Sequence, residues 1–270
     1  MDATLAGRQA LVTGSSAGMG YAVARRLALA GAVVHLHGRE AKHLEAARDQ
    51  LAKEVPEGTT STHAADLSDP AQVLDLLDGL EEIDILVSNT GPTHSESVLD
   101  MTPEEWSRYM DTYLTAGMLL GRHVLPGMLA RGWGRVLYGA GTTCSFSPGD
   151  PDGAATMVAW LTAKSALLGL ARGLAEVGAG AGSVTVNAVI PGPTHTEQSF
   201  LAHASLPDGH TYADFEREFF DGPGGSSLLR RFIDPSEFAE AVAFLVSPAA
   251  SAITGATLRV DGGIIRSIAT

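Results

Sequence analysis

A glycine-rich loop near the amino terminus has the composition and spacing of a phosphate-binding turn. Gly14, Gly18 and Gly20 follow a short apolar run and open a helical pattern. Gly14 permits a tight turn, Gly18 lets the backbone approach a pyrophosphate, and Gly20 allows close packing of helix and strand. The helix amino terminus adds unpaired N–H groups and the positive end of the helix dipole. The loop therefore predicts a dinucleotide site, with contacts from Gly14, Ser15, Ser16, Gly18, Met19 and Gly20.

The residues at the end of the second predicted strand indicate which dinucleotide is preferred. NAD-specific folds place an acidic residue there for the ribose 2′-hydroxyl. This chain has His37, Gly38 and Arg39 instead. Gly38 leaves space, and the Arg39 guanidinium can form paired hydrogen bonds with a 2′-phosphate. The pattern favours NADP(H) over NAD(H), the alternative being that Arg39 is a solvated residue at a helix start.

Four further short motifs stand at the ends of predicted strands. They follow the third, fourth and sixth strands and close the last one: Asp66-Leu67, Ser88-Asn89-Thr90-Gly91, Pro191-Gly192-Pro193-Thr194 and Val260-Asp261-Gly262-Gly263. Together with the glycine loop, these motifs resemble the classical short-chain dehydrogenase/reductase family. Five motifs in the right order make the resemblance specific, and it covers nearly the whole chain. It implies a dinucleotide-dependent oxidoreductase.

The resemblance also assigns parts of the cofactor to these motifs. Asp66 and Leu67 would face the adenine, although Asp66 could also cap the helix that follows. Asn89 and Gly91 would form the floor beside the ribose. The turn after the sixth strand would flank the nicotinamide, with predicted contacts from Pro191, Gly192 and Thr194.

The catalytic positions of that family are mostly replaced in this chain. The family uses a tyrosine and a lysine four residues apart on one helix, a serine after the fifth strand and an asparagine on the long helix before it. Lys164 stands at the lysine position, where it would bind the nicotinamide ribose. Trp160 stands at the tyrosine position, Gly141 at the serine position and Tyr113 at the asparagine position. An indole N–H does not release its proton near neutral pH, so Trp160 cannot be a general acid.

Other side chains could take over the missing proton transfer. Tyr113 is the first candidate, because it is a phenol on a helix that should face the site and Gly141 leaves space near it. The alternative is that Tyr113 packs against Trp160 as an aromatic pair. We predict a catalytic set of Tyr113, Trp160 and Lys164. Further candidates, each with an ordinary loop role as the alternative, are His94, Thr142, Thr143, Cys144 and His195.

The elements that must position these residues follow from hydrophobic patterning. Short β-branched or apolar runs alternate with longer helical patterns along most of the chain. The predicted strands are 10–12, 33–36, 59–64, 83–87, 135–138, 183–190 and 257–260. The predicted helices are 19–30, 41–53, 70–80, 103–129, 155–177 and 234–246. Such alternation is typical of an α/β fold, here a Rossmann-type doubly wound parallel sheet with helices on both faces, in a single domain covering residues 1–270.

One segment, residues 195–229, interrupts the alternation. It is polar, contains Pro207 and the run Gly222-Pro223-Gly224-Gly225, and carries two aromatic clusters. A segment of this length between regular elements is usually a functional insertion. We therefore predict a substrate lid within the single domain, with an ordinary surface loop as the alternative.

Composition argues against several classes of function. The formal net charge is −13 and the only lysines are Lys42, Lys53 and Lys164, so nucleic-acid binding is not expected. The one cysteine, Cys144, cannot form an internal disulfide, which fits a cytoplasmic protein. The amino terminus does not resemble a signal peptide, and no apolar run reaches the roughly 18 residues that suggest a membrane span. No ligand spacing predicts a metal.

The cofactor motifs favour an atypical NADP(H)-dependent oxidoreductase that acts on a small carbonyl substrate with a non-standard proton donor. The apolar and aromatic lid suggests a cyclic or polyketide-type substrate. One alternative is a non-redox enzyme on the same scaffold, such as a cyclase, dehydratase or isomerase, with Trp160 as a stacking wall. Another is a catalytically silent nucleotide-binding or partner subunit. The resemblance implies a homo-oligomer, a dimer or tetramer formed through helices 103–129 and 155–177.

Overall fold

Parallel strands form one seven-stranded sheet in the computed structural model, which describes residues 5–80, 82–91, 97–141, 151–180, 182–196 and 209–267, with the backbone alone for 151–154. In chain order the strands are β1 (Gln9–Val12), β2 (Val33–Gly38), β3 (Thr60–Ala64), β4 (Ile85–Ser88), β5 (Trp133–Gly139), β6 (Ser183–Pro191) and β7 (Thr257–Val260). Their spatial order is β3-β2-β1-β4-β5-β6-β7, with every neighbouring pair parallel. The order reverses between β1 and β4, and ligands of such sheets bind at the carboxyl ends of the strands beside that point. The predicted fold class is confirmed.

Helices cover both faces of this sheet. In chain order they are α1 (Gly18–Leu29), α2 (Ala41–Glu54), α3 (Pro70–Asp78), α4 (Pro103–Met110), α5 (Ala116–Arg131), α6 (Pro151–Val177), α7 (Tyr212–Asp221) and α8 (Pro235–Val246). The buried core has two parts, one on each face. One part joins the sheet to α1, α2 and α8, and the other joins it to α3, α4, α5 and α6.

The predicted helix over 103–129 is wrong as one continuous α-helix. α4 ends at Met110, residues Asp111–Thr115 form a π-helical turn, and α5 continues to Arg131. Such turns are rare and occur often at functional sites, because the extra residue redirects the side chains of one face. Helix α6 also begins at Pro151, four residues before the predicted start, whereas the other predicted elements agree within two residues.

Capping residues explain where several helices begin. Thr102 and Glu105 form a reciprocal capping box at α4, and Asp234 and Glu237 form another at α8. Helix α1 differs, because it starts after Ala17 with no side chain capping it. The first N–H groups of α1 are therefore available to a ligand.

The predicted lid, residues 195–229, is described at 195–196 and from 209 onwards. This part contains α7, and the ring of His195 lies 4.5 Å from that of Tyr212 at the start of the helix. Aromatic rings from α7 and from the segment after it form one cluster: Tyr212, Phe215, Phe219, Phe220 and Phe232. The described part of the lid thus packs its aromatic rings against one another and against Phe232, just beyond its end. That it closes over a substrate stays a prediction.

Candidate active site

The glycine loop turns from β1 into α1 at the point where the strand order reverses. Gly14 has a φ of 64°, which other residues rarely adopt, and a Cβ there would lie 2.7 Å from the Asn89 carbonyl oxygen. A Cβ on Gly20 would overlap the Gly14 backbone. The first turn of α1 has neither an acidic residue nor a capping side chain. The loop can therefore hold a pyrophosphate at a helix amino terminus.

Ser15 faces away from this opening. Its hydroxyl donates to the Val12 carbonyl at 2.7 Å and accepts from the His37 N–H at 3.0 Å. Its backbone N–H donates to the His37 carbonyl at 2.9 Å. Ser15 was predicted as a cofactor contact, but in the structure its hydrogen-bonding groups tie the loop to β2.

A groove of about 760 Å³ runs along the carboxyl ends of β1, β2, β3 and β4. The predicted contacts that line it are Gly14, Ser16, Gly18, Met19, Gly20, Arg39, Asp66, Leu67, Asn89, Gly91 and Tyr113. The lining residues that sequence reasoning missed include His37, Ser68, Thr90, Glu105, Arg108, Tyr109, Thr112 and Thr196. Four of these missed residues fall at positions i, i+3, i+4 and i+7 along α4 and the π-turn, which is the spacing of one helix face and was a usable signal.

Arg39 lies at the mouth of the groove, where β2 ends. A Cβ on Gly38 would sit 3.3 Å from the Ser16 hydroxyl, so Gly38 keeps this corner open. Asp66 faces the same corner, and its carboxylate accepts from the Ser68 N–H at 2.9 Å and from the Ser68 hydroxyl at 2.8 Å. Burial raises the pKa of Asp66, but these hydrogen bonds and the charges of Arg39 and Arg108 outweigh it, so the pKa lies below its usual value. The cap of α3 is Asp69, so the alternative role of Asp66 as helix cap is wrong.

His37 forms part of the groove wall and is 1% exposed. Its Nδ1 accepts from the Gly14 N–H at 3.4 Å, which requires an unprotonated ring nitrogen. Burial lowers the pKa of His37 to about 4. At neutral pH the imidazole of His37 is therefore uncharged and holds the backbone of the phosphate loop through this hydrogen bond.

Lys164 is buried at the base of the site. Its Nζ donates to the Gly139 carbonyl at 2.7 Å and to the Thr90 carbonyl at 3.0 Å, which lie at the ends of β5 and β4. The same Nζ lies 4.9 Å from the ring centre of Tyr113. Burial lowers the pKa of Lys164 to about 7. Two of the three ammonium N–H groups are thus used by backbone, and the third is left for a ribose or for the Tyr113 ring.

Tyr113 is 3% exposed, lines the groove and projects from the π-turn. The indole of Trp160 donates a hydrogen bond to its hydroxyl, which favours the deprotonated phenol. Burial has the larger effect and raises the pKa of Tyr113 above its ordinary value. The structure therefore brings together Tyr113, Trp160 and Lys164, the three residues predicted as the catalytic set.

Two glycines make room for these aromatic side chains. A Cβ on Gly91 would overlap the Tyr113 ring. A Cβ on Gly141 would lie 3.1 Å from the Trp160 ring and 3.1 Å from the Lys164 Cβ. Each aromatic side chain is thus fitted against a glycine, and the indole leaves little space for a longer side chain at position 141.

The turn after β6 does not line the groove at Pro191, Gly192 or Thr194, although Thr196 does. Gly192 permits close packing, because a Cβ there would lie 2.6 Å from the Asp261 Cα. Thr194 donates its hydroxyl proton to the Gly192 carbonyl at 2.9 Å. This turn is therefore held against the motif that follows β7.

Several other predicted candidates have no tested role. His94, Thr142, Thr143 and Cys144 lie outside the described residues. His195 packs beside Tyr212 and does not line the groove. Within the described ranges, no group of histidine, cysteine and acidic side chains could hold a metal ion. Among the helices described, none combines the length and apolar character needed to cross a membrane.

Comparison with known proteins agrees with this geometry. A family model described as enoyl-(acyl carrier protein) reductase matches residues 14–265. The uncharacterized oxidoreductase YvrD of Bacillus subtilis is 36% identical over 273 residues, covering 99% of this chain and 100% of that protein. The 3-oxoacyl-(acyl-carrier-protein) reductase FabG of Vibrio cholerae is 33% identical, covering 96% of this chain and 98% of its own length. The L-sorbose reductase of Gluconobacter frateurii, solved with NADPH and L-sorbose, superposes with a TM-score of 0.88 at 26% identity, over 99% of this chain and 100% of that one.

The fold and the groove together define a dinucleotide-dependent oxidoreductase of the Rossmann type. The chain belongs to the short-chain dehydrogenase/reductase family, as the match over residues 14–265 shows.

Proposed function

We propose that this protein is an NADP(H)-dependent reductase or dehydrogenase of a small carbonyl or alcohol substrate, with a proton donor that differs from the family's tyrosine. The observation that carries the proposal is the groove. Its phosphate loop and uncapped α1 suit a pyrophosphate, and Arg39 stands where NAD-specific folds place an acid. The NADPH of the similar L-sorbose reductase supports the same cofactor here.

Fluorescence titration of the purified protein with NADPH and with NADH tests this proposal directly. We expect NADPH to bind more tightly, because only its 2′-phosphate can pair with Arg39. The Arg39→Ala variant should lose affinity for NADPH and keep most of its affinity for NADH. A protein that binds neither nucleotide would contradict the proposed function, and equal losses for both nucleotides would contradict the preference for NADP(H).

We infer that Tyr113 supplies the proton in the reduction. When bound, NADPH supplies the hydride to the carbonyl carbon. The Tyr113 hydroxyl gives its proton to the carbonyl oxygen, which completes the alcohol and leaves a tyrosinate. The indole hydrogen bond from Trp160 and the Lys164 ammonium, 4.9 Å from the ring centre, both favour that anion. Tyr113 is protonated at neutral pH and can donate, but burial raises its pKa and so opposes the anion that these two contacts favour.

The Tyr113→Phe variant tests the proton donor. Removal of a general acid costs about 10²–10⁴-fold in rate, so we expect kcat on a carbonyl substrate to fall by that factor while NADPH binding persists. Tyr21→Phe is the matched control, because it removes a phenol on α1 that bonds to Glu54 away from the groove. Turnover of Tyr113→Phe equal to that of the control would exclude Tyr113 as the donor.

A second candidate function follows from the same aromatic wall. Trp160 and Tyr113 could stack against a flat substrate without any transfer of hydride, as in a cyclase, dehydratase or isomerase that keeps the nucleotide as a structural ligand. This function predicts tight binding of NADPH with no oxidation of it in the presence of any carbonyl substrate. Absorbance at the NADPH band during turnover distinguishes the two functions.

A further inference from the structure

A second arginine shares the mouth of the groove with Arg39. Arg108 projects from α4 and Arg39 directly follows β2, and both side chains are exposed and line the same cavity. Asp66 lies within the electrostatic reach of both guanidinium groups. Within the described ranges, neither arginine forms an ion pair or a side-chain hydrogen bond. The two cations therefore face one space, where among the described residues Asp66 interacts with both through its charge but not through an ion pair or a hydrogen bond at contact distance.

Two carboxylates, Asp66 and Glu105, share the groove with these arginines, and each accepts hydrogen bonds from a neighbouring residue. Asp66 accepts two hydrogen bonds from Ser68. Glu105, one turn before Arg108, is bonded to the Thr102 N–H at 2.7 Å and to the Thr102 hydroxyl at 2.8 Å in the capping box of α4. Neither carboxylate forms an ion pair or a hydrogen bond with Arg39 or Arg108 among the described residues, so the N–H groups of both guanidinium groups are open to a ligand. These N–H groups can bind an anionic group of a ligand.

The position of the pair selects which anion. The pyrophosphate belongs to the loop and to the amino terminus of α1. Arg39 and Arg108 lie instead beside Asp66 and Leu67, the residues predicted to face the adenine, and the Ser16 hydroxyl borders the same corner. On the basis of the proposed NADP(H) function, we propose that Arg108 reaches across the groove and, with Arg39, binds the 2′-phosphate of the adenosine ribose. Cofactor preference then depends on α4 as well as on the end of β2.

The experiment measures nucleotide binding for Arg108→Ala, Arg39→Ala, the double variant and Arg122→Ala. The last removes an exposed arginine of α5 outside the groove and so controls for the general loss of one positive charge. Dissociation constants are determined for NADPH and NADH, and for adenosine 2′,5′-bisphosphate and 5′-AMP as competitors. Loss of one charge-assisted contact should weaken NADPH and the bisphosphate by about tenfold to hundredfold. NADH and 5′-AMP should change no more than they do in the control.

The outcomes separate this inference from the proposed function. Arg108→Lys keeps the charge but not the planar fork, so it should retain an intermediate preference for NADPH. Equal weakening of NADPH and NADH by Arg108→Ala would mean that Arg108 stacks on the adenine, and this would overturn the inference. An unchanged affinity for NADPH would overturn it as well, while the proposed function would stand. A wild-type protein that binds neither nucleotide would overturn both. Arg108 is exposed on α4, so the alanine variants should fold, which thermal unfolding verifies.

Discussion

At the scale of single residues, two matched pairs of a glycine and an aromatic side chain shape the wall behind the groove. Gly91 lies under Tyr113, and Gly141 lies beside Trp160 and Lys164. The resemblance to the family assigns positions 141 and 160 to a serine and a tyrosine. Each glycine contacts the ring beside it. A larger residue at the glycine position therefore requires a smaller ring at the aromatic position.

Gly141→Ser should destabilise the protein, because the added hydroxymethyl group meets the Trp160 ring 3.1 Å away. Overpacking of this kind costs about 1–3 kcal/mol. Trp160→Tyr removes the second ring of the indole, so the double variant should recover part of that loss. Free energies of unfolding from urea titration give the coupling between the two sites.

Gly169→Ser, on α6 with nothing within 4 Å of its Cβ, is the matched control and should be close to neutral. Strictly additive effects at 141 and 160 would show that the two side chains do not compete for space.

At the scale of elements, the sheet edge contains a polar cluster that joins β1, β2 and β3. The Ser61 hydroxyl lies 2.8 Å from the His35 Nδ1 and 3.0 Å from the His63 Nε2, and the His35 Nε2 lies 3.0 Å from the Gln9 side-chain oxygen. The two imidazoles are themselves 3.2 Å apart, so they cannot both carry a positive charge without repulsion. Burial and the neighbouring His63 lower the pKa of His35 to about 4, and burial lowers the pKa of His63.

This cluster should make the fold sensitive to acid. The unfolded imidazoles titrate near 6.5, so between that pH and about 4 the unfolded chain binds more protons than the folded one. Stability is therefore fully present above pH 6.5 and falls as the pH is lowered through this window. His35→Gln should flatten the dependence of Tm on pH between 7 and 5 by an amount on the order of a few degrees. His123→Gln, on the exposed side of α5, serves as control. An unchanged slope in His35→Gln would assign the acid sensitivity to other groups.

The π-turn is the element that sequence patterning does not reveal. Residues 103–129 have the periodicity of one helix, and no residue type marks the extra backbone residue at Asp111–Thr115. Yet the turn carries Tyr113 and follows the face of α4 that carries Arg108. The direction in which these side chains point depends on packing against α6 and the sheet, which a single sequence does not encode locally. The same reason explains why Ser15 was expected in the groove, since local spacing does not say which of two adjacent serines turns inward.

At the scale of the whole molecule, most of the fold could be predicted because hydrophobic patterning, helix caps and turn residues all indicate the same elements. Buried strands such as β4 are short apolar runs, caps such as Asp234 precede their helices, and the glycine loop stands between a strand and a helix. The cofactor half of the site could be predicted for the same reason, since close backbone contacts require glycine at positions 14 and 20. The residues of the catalytic half could be identified from the sequence. Their relative positions could not, because these positions depend on packing between elements that are distant in the chain.

The continuous sheet also predicts how the chain unfolds. The two parts of the core lie on opposite faces of the same strands, so neither should survive without the other. We expect thermal unfolding to show one transition, with the near-UV and far-UV circular dichroism signals changing together. NADPH at about 100 times its Kd should stabilise the folded state by about 2.7 kcal/mol and shift that transition upwards. Two separated transitions would contradict the single domain predicted for residues 1–270.

The fit of Gly141 against Trp160 also constrains the history of this lineage. A serine arriving first at position 141 would collide with the indole, whereas a smaller ring arriving first at position 160 would leave a space that a serine could later fill. The order of substitution is therefore not free, and the change at position 160 must come before the change at position 141. Gly91 and Tyr113 impose the same rule a second time. In both pairs, the aromatic residue must change before its glycine can be replaced by a larger residue.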